Sequence, residues 1–371
     1  MRIKSVEAIP LEIPFSPFGK DGGTSKGWAG NKWQKLSVLL IRVETQSGLV
    51  GWGEAFSYNC IRPLKAVVED MIAPTVIDRD ASDIGAINLD LQKGMHLWGR
   101  YGITVFALSG LDIALWDIAG KAAGKPVFEL LGGRSRSLIE GYASLFRYGD
   151  ADIVGDRAQA ALDQGYRVLK LHEVSVPPLK AAREVAGPDI PITVDTNCPW
   201  QFEEAAQVIE EMKAYDPYWI EEPLFPPEDF EGLAKLQKLT GVPLAAGENA
   251  CTAMEFRKMF QAGAVTYAQP SVTKVGGITE FLKTIEQAKQ FGVTVMPHSP
   301  YFGTGYLATL HLLASVVPDG WAERFFLTVE ACLYGDLIEP DANGCFRVPD
   351  GPGLGMEPDP DVIRDYRMKN L

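Results

Sequence analysis

A chain of 371 residues, 46% apolar and 22% charged, is long enough for two domains and a large core. Its net charge of −13 excludes nucleic acid and anionic membrane as expected partners and leaves a small molecule. An anionic substrate would need local positive charge against that background, which a bound divalent cation would supply.

Residues 2–14 alternate as a strand does, so the N-terminus reads as neither a signal peptide nor a membrane span. Residues 16–33 are rich in Gly, Ser and Lys and longer than an ordinary connection, which predicts a loop that acts as a lid. Its Phe18, Lys20, Lys26, Lys32 and Trp33 could cover a substrate, with Trp28 the expected contact. Lys35 to Glu44 and Gly48 to Ala55 predict a hairpin-like pair. Residues 62–76 and 83–99 predict helices, and Ile103 to Ala123 a longer one that stops near Gly124 and Pro126. Residues 1–125 thus form an α+β module of three strands with helices.

A different rhythm follows. Leu138 to Phe146 reads as a buried strand. Further apolar runs end in Lys170 and His172, Asp195 and Asn197, Glu221 and Glu222, Glu248 and Asn249, Gln269 to Ser271, His298, and Glu323. The steps from Lys170 to Asp195, Glu221, Glu248, Ser271, His298 and Glu323 are 25, 26, 27, 23, 27 and 25 residues. A strand of about five residues, a helix of about twelve and two short loops make one βα unit of that length. Eight such units between about 138 and 327 close into a barrel whose functional groups sit at the C-terminal strand ends. The fold class is therefore α/β, a modified (β/α)8 (TIM-type) barrel over residues 126–333 with an N-terminal α+β capping domain. The Gly- and Pro-rich tail, 334–371, is expected to wrap back on that cap. Five scattered cysteines without metal-type spacing suit a reducing cytoplasm.

Asp195, Glu221 and Glu248 end three consecutive strands. Carboxylates gathered so closely raise one another's pKa unless a cation holds them. An all-oxygen set that leaves coordination positions open suits Mg²⁺. Asn197 shares the face of Asp195 and is expected to support it. Lys170 and His172 stand two apart on one strand and so face one side. His298 stands across from them, and a neutral His is a competent base near pH 7. Three carboxylates on Mg²⁺ with flanking bases define removal of a proton α to a carboxylate, with the metal stabilising the enediolate.

These residues, with Ala107-Leu-Ser-Gly-Leu-Asp-Ile-Ala-Leu-Trp-Asp117, Pro126 to Gly133, Gln269-Pro270 and Lys274-Val-Gly-Gly-Ile-Thr-Glu280, resemble the enolase superfamily. The likeness is to its mandelate racemase/muconate lactonizing enzyme family and the mandelate racemase-like subgroup. The resemblance implies cap loops at 16–33 and 55–60 closing over the barrel mouth, and Mg²⁺ on Asp195, Glu221 and Glu248. It implies a strand-eight Glu323 that hydrogen-bonds the enediolate or the substrate carboxylate, in preference to Glu330, and a homo-oligomer.

Two positions depart from the family pattern. A Lys-X-Lys pair is usual on strand two, and here the second Lys is His172. An Asp usually partners the strand-seven His, and here it is Ser271. The altered dyad weakens a symmetric racemisation more than an elimination, so dehydration of a sugar acid is expected, with His172 beside Lys170 as base and His298 as acid. A racemase, epimerase or cycloisomerase acting on a hydroxy acid, sugar lactone or amino acid derivative is the alternative, and a non-catalytic binding protein a further one. Arg147, at the end of strand one, and the lid lysines could bind hydroxyls or a distal carboxylate. Lys274 reads as structural. Gly303-Thr-Gly305 reads as a glycine turn whose N–H groups could meet an anion.

Overall fold

The computed structural model describes residues 1–16, 25–26 and 32–369. Of the expected lid, Phe18, Lys20 and Trp28 lie outside the described residues, as do the side chains of Lys26 and Lys32. The chain opens with β1 (Ile3–Ser16), then a two-residue ribbon of β2 (Ser25–Lys26) with β3 (Lys32–Trp33), then β4 (Lys35–Thr45) and β5 (Val50–Ala55). β4 reads as one apolar run because both of its faces are buried. Leu36, Val38 and Leu40 face the barrel core, and Leu39, Ile41 and Val43 face the cap helices. Each such side chain contributes about 1.5–3 kcal/mol by leaving water.

The helix Ile103–Ala123 matches its expected bounds and ends at Gly124 with φ +63°. It is buried nearly all round rather than along one stripe, because it lies between the cap sheet and the barrel. β5 comes so close to it that a Cβ on Gly51 would stand 2.2 Å from the Ala114 carbonyl oxygen, and one on Gly53 would stand 1.9 Å from that of Gly110. Only glycine permits that approach. Among the described residues this is the one helix long and apolar enough to cross a membrane, and 78% of its apolar window is buried within the fold.

The barrel strands are β6 (Leu138–Ser144), β7 (Leu169–Leu171), β8 (Ile192–Asp195), β9 (Trp219–Glu221), β10 (Leu244–Ala246), β11 (Tyr267–Ala268), β12 (Thr294–Val295) and β13 (Ala322–Phe325). They pair in parallel in the order β12-β11-β10-β9-β8-β7-β6-β13. Among the described residues no ladder joins β12 to β13. Ser299 bridges that seam: its N–H donates to Glu323 Oε2 at 3.1 Å, and its Oγ accepts the Glu323 N–H at 3.1 Å. Besides the β2–β3 ribbon within the expected loop, two short strands were not expected from sequence. β14 (Thr328–Val329) leaves the barrel to pair with β1, so the cap sheet reads β14-β1-β4-β5, and β15 (Cys345–Arg347) pairs antiparallel with the start of β6. The tail then reaches the cap, where Leu354 N–H donates to Asp117 at 2.8 Å and Met368 N–H to the Pro10 carbonyl at 3.0 Å.

Two buried titratable groups in the cap–barrel joint give the fold opposed pH dependences. Burial pushes Glu54 up to about 7, although the Gly305 N–H opposes the shift. Unfolded, the carboxyl loses its proton near 4.5, so stability falls as pH rises from there to about 7, by about 3 kcal/mol. Burial pushes His311 down to about 4. The unfolded imidazole gains its proton near 6.5, so stability falls as pH drops from there to about 4, also by about 3 kcal/mol. Glu54→Gln should flatten the first slope and His311→Gln the second, read as urea midpoints from pH 4 to 8. Slopes unchanged by the substitutions would refute these assignments.

Candidate active site

Every expected site residue except Trp28 of the 16–33 loop is among the described residues, and most converge on the barrel mouth. Lys170 is fully buried at the centre of β7. Its Nζ lies 2.7 Å from Glu221 Oε1, 2.9 Å from Asp195 Oδ2 and 3.1 Å from Glu323 Oε1. Burial opposes its charge, but Asp195, Glu221 and Glu323 outweigh that and hold the ammonium well above its usual range. Only the contact to Glu221 has hydrogen-bond geometry.

Asp195, Glu221 and Glu248 each offer an oxygen within 4.8 Å of the others. Asp195 Oδ2 is buried and receives no aligned hydrogen bond, which is the expected state of an atom shaped for a ligand other than a protein donor. Burial drives Glu221 well above the carboxylate range, and Asp195, Glu323 and Glu248 reinforce it. A bound cation relieves that repulsion, and three hard oxygens fit a divalent metal. Burial opposes the charge on Glu248, and His298 outweighs it, bringing the carboxyl down to about 2. Trp219 Nε1 donates to Glu221 Oε2 at 3.1 Å, and the Asn197 N–H donates to Asp195 Oδ1 at 3.0 Å.

The two histidines have unlike surroundings. His172 Nδ1 is 2.5 Å from the Leu145 carbonyl oxygen, and its Nε2 is 3.3 Å from Asp195 Oδ2. His298 presents Nε2 to Glu248 Oε2 at 2.9 Å. Its Nδ1 meets hydroxyls, Ser271 Oγ at 3.2 Å and Tyr301 OH at 3.3 Å, and those two hydroxyls are themselves in close contact. Among the described residues no carboxylate sits on that nitrogen. Glu323 accepts from Ser144 Oγ at 3.0 Å and from the Ser299 N–H. Glu330 stands apart, exposed and bonded to Tyr366.

Arg147 is placed differently from the expected substrate contact. Its Nε donates to the His172 carbonyl at 2.9 Å, and one terminal nitrogen donates to the Thr196 carbonyl at 2.9 Å and to Asn197 Oδ1 at 3.0 Å. It braces the ends of β6, β7 and β8 from an exposed position. Asn197, Cys198 and Glu222 adopt positive φ of 54°, 55° and 45°. Such backbone strain gathers at functional rims. Glu222 is buried and accepts from Asn249 Nδ2 at 2.8 Å and from the Cys198 thiol at 3.4 Å.

Sequence reasoning missed Glu54, Tyr58 and Tyr301. Glu54 supplies the anion for the Gly303–Gly305 turn: its Oε2 accepts the Gly305 N–H at 2.7 Å, and a Cβ on Gly303 would stand 2.5 Å from it. Tyr58 OH donates to the Pro300 carbonyl at 2.8 Å. Both residues belong to the cap and grip the loop that carries His298. The only signal in sequence was a Glu closing the Gly-Trp-Gly-Glu run of a cap strand.

Residues 28–132 match the mandelate racemase / muconate lactonizing enzyme N-terminal domain, and residues 154–362 match the enolase C-terminal domain-like family. The chain belongs to the mandelate racemase/muconate lactonizing enzyme family of the enolase superfamily and is an enzyme. It is 32% identical over 348 residues to an arabinonate dehydratase of Saccharolobus solfataricus, covering 90% of this chain and 92% of that one. It is 31% identical to a D-galactarolactone cycloisomerase of Agrobacterium fabrum, covering 92% and 94%. The crystal structure of a 3,6-anhydro-D-galactonate cycloisomerase from Zobellia galactanivorans superposes with a TM-score of 0.86 at 26% identity, covering all of both chains.

If the three carboxylates form a metal site, Mg²⁺ at 100 times its dissociation constant should stabilise the protein by about 2.7 kcal/mol. Asp195→Asn and Glu221→Gln should abolish the Mg²⁺-dependent rise in melting temperature. A wild-type melting curve indifferent to Mg²⁺ would reject the site.

Proposed function

We propose that this enzyme eliminates water from a sugar acid, starting with removal of the proton α to its carboxylate. The observation that carries the proposal is the unlike environment of the two histidines. The Leu145 carbonyl can only accept, so His172 keeps its hydrogen on Nδ1; Nε2 lies 3.3 Å from Asp195 Oδ2, and with a cation taking up that carboxylate the neutral ring would present a lone pair there. His172 is therefore the base. The hydroxyls of Ser271 and Tyr301 can donate to Nδ1 of His298, which leaves the hydrogen on Nε2, facing the mouth. His298 is therefore the acid that protonates the departing hydroxyl. Racemisation would need both groups to exchange protons equally, and a pair built so differently suits elimination better.

Asp195, Glu221 and Glu248 would hold Mg²⁺, which supplies positive charge against the anion formed as the α-proton leaves. Lys170 adds a fixed ammonium donor aimed at the substrate carboxylate. Glu323, held by Ser144 and Ser299, closes the ring on the strand-eight side; burial opposes its charge, but Lys170, His298 and His172 outweigh that and hold its carboxyl below the usual range. Asn197 and Arg147 keep the strand ends in register. The sugar-acid dehydratases and cycloisomerases among the relatives support a polyhydroxy acid as substrate. Cycloisomerisation is the second reading, since the same base and acid would serve with a ring oxygen in place of the hydroxyl. A cytoplasmic homo-oligomer completes the reading, with residues 1–125 and 334–371 as the cap and 126–333 as the barrel. The five free thiols suit a reducing compartment.

The test is a sugar-acid library incubated with Mg²⁺ in D₂O and followed by NMR. A keto-deoxy product is expected, with turnover falling at least 100-fold in His172→Ala and in His298→Ala. His298→Ala should keep exchange of the α-proton, because His172 remains. Deuterium entering recovered substrate with no water lost would exclude dehydration and leave the isomerase. Full activity in His298→Ala would remove that residue from the mechanism.

A further inference from the structure

The barrel wall is incomplete on one flank. Each of the first seven barrel strands leads into a helix, but β13 leads into β14 and a turn at Gly335–Ile338. The helix Ala151–Asp163, which follows β6, therefore has no eighth barrel helix beside it. A cleft of about 120 Å³ occupies that flank, several times the space one water needs. It lies outside the barrel and apart from the mouth. Successive residues of a strand face opposite sides, so Glu323 turns inward to Lys170 and Arg324 outward to the cleft.

Arg157, Ala160 and Gln164 form one wall. They stand at i, i+3 and i+7, which brings them to one face of the helix, and the small Ala160 leaves room between the two longer side chains. Tyr166, 2% exposed, completes the lining with Arg324 and Glu339.

The charges around the cleft do not balance. Glu339 Oε1 accepts from a terminal nitrogen of Arg324 at 2.5 Å and is thereby committed. Arg157 has no such partner: among the described residues it makes no ion pair, and its Nε is buried without a hydrogen-bond acceptor. A buried N–H left without an acceptor is costly. Two guanidiniums against one carboxylate leave the cleft positive on a chain whose net charge is −13. Arg324 is held in place, with its guanidinium carbon 3.8 Å from the centroid of the Phe302 ring. Its Nε donates to the Ile338 carbonyl at 3.1 Å and its other terminal nitrogen to the Phe325 carbonyl at 3.4 Å. With the bond to Glu339, three of the five N–H groups of a guanidinium are used and two are left. Arg324 is thus fixed and can still donate.

We propose that this cleft binds a small oxyanion, a carboxylate or phosphate group, with the fork of Arg157 taking two of its oxygens and Arg324 adding a fixed donor. A planar guanidinium matches either group in this way. The Gln164 amide, on the same helix face as Arg157, suits a further oxygen of the ligand. A neutral ligand would leave the positive charge standing, and a cation would add to it. The site stands apart from the reaction proposed at the mouth and does not need it.

The melting temperature of the full chain tests this. Scans are run in EDTA, so that the mouth, without a divalent ion, presents an excess of carboxylate and repels anions. Inorganic phosphate and acetate are each compared with chloride at matched ionic strength. At least one of them should raise the melting temperature by about 2 °C or more. A rise with phosphate alone assigns the cleft to phosphorylated ligands, and a rise with acetate, with or without phosphate, assigns it to carboxylates. Arg157→Met should remove the rise, and Arg157→Lys should retain part of it. Arg257→Met, at an exposed arginine of the helix Thr252–Ala262, should leave it whole. Each variant is compared with itself in chloride, so a change in its own stability does not enter. No rise with either anion overturns the proposal. So does a rise that survives Arg157→Met, which would place the anion elsewhere, or one that Arg257→Met removes equally, which would make it a general charge effect.

Discussion

The site depends on one buried ammonium. Lys170 has no exposure to solvent and lies within 3.1 Å of three carboxylates from three other strands. Without it, Asp195, Glu221 and Glu323 would face one another at low dielectric, and their repulsion would open the mouth. One ammonium cannot balance so much negative charge, and the remainder shows in Glu221, which burial and its neighbours drive to hold a proton. A divalent cation held by Asp195, Glu221 and Glu248 would neutralise that remainder. Charge at the centre thus ties Lys170 on β7 to the carboxylates on β8, β9 and β13.

Around that centre the mouth is divided into unlike halves. On the β6 to β8 side, carbonyl acceptors dominate: Leu145 meets His172, and the carbonyls of His172 and Thr196 meet Arg147. On the β10 to β12 side, hydroxyls and cap residues dominate: Ser271 and Tyr301 meet His298, while Tyr58 and Glu54 fasten its loop. A carbonyl can only accept and so holds the hydrogen on Nδ1 of His172, whereas hydroxyls can donate to Nδ1 of His298 while the Glu248 carboxylate accepts from its Nε2. The difference between the two histidines therefore comes from backbone on one side and from side chains on the other.

Much of this was legible in sequence because it is local. An ionisable residue ending an apolar run every 23 to 27 residues is costly unless it is used, so Lys170, Asp195, Glu221, Glu248, His298 and Glu323 declare themselves by position. What stayed hidden is non-local. Glu54 is separated from Gly305 by 251 residues, and nothing near either residue marks the bond between them. Tyr301 looks like an ordinary loop aromatic until the fold turns it toward Ser271. β14 and β15 are strands of two and three residues, too short for any periodicity to reveal, and they exist because neighbouring strands offer them free edges. Arg147 was rightly placed at a strand end, but sequence could not show that carbonyls would claim its guanidinium before a substrate could.

The joint between cap and barrel also bears on how ligands come and go. Asp112 accepts the Thr279 N–H at 3.0 Å, and a Cβ on Gly277 would stand 2.4 Å from it. Asn88 holds the Gly276 carbonyl, and Glu54 holds the Gly305 N–H. All three bonds are anchored by buried cap side chains. Tilting the cap away as a unit would strand each group unpaired in the interior, at about 1–3 kcal/mol apiece, before any apolar surface was exposed. The cap is therefore not a door. It is a fixed half of the vessel, and traffic through the mouth proceeds with it seated.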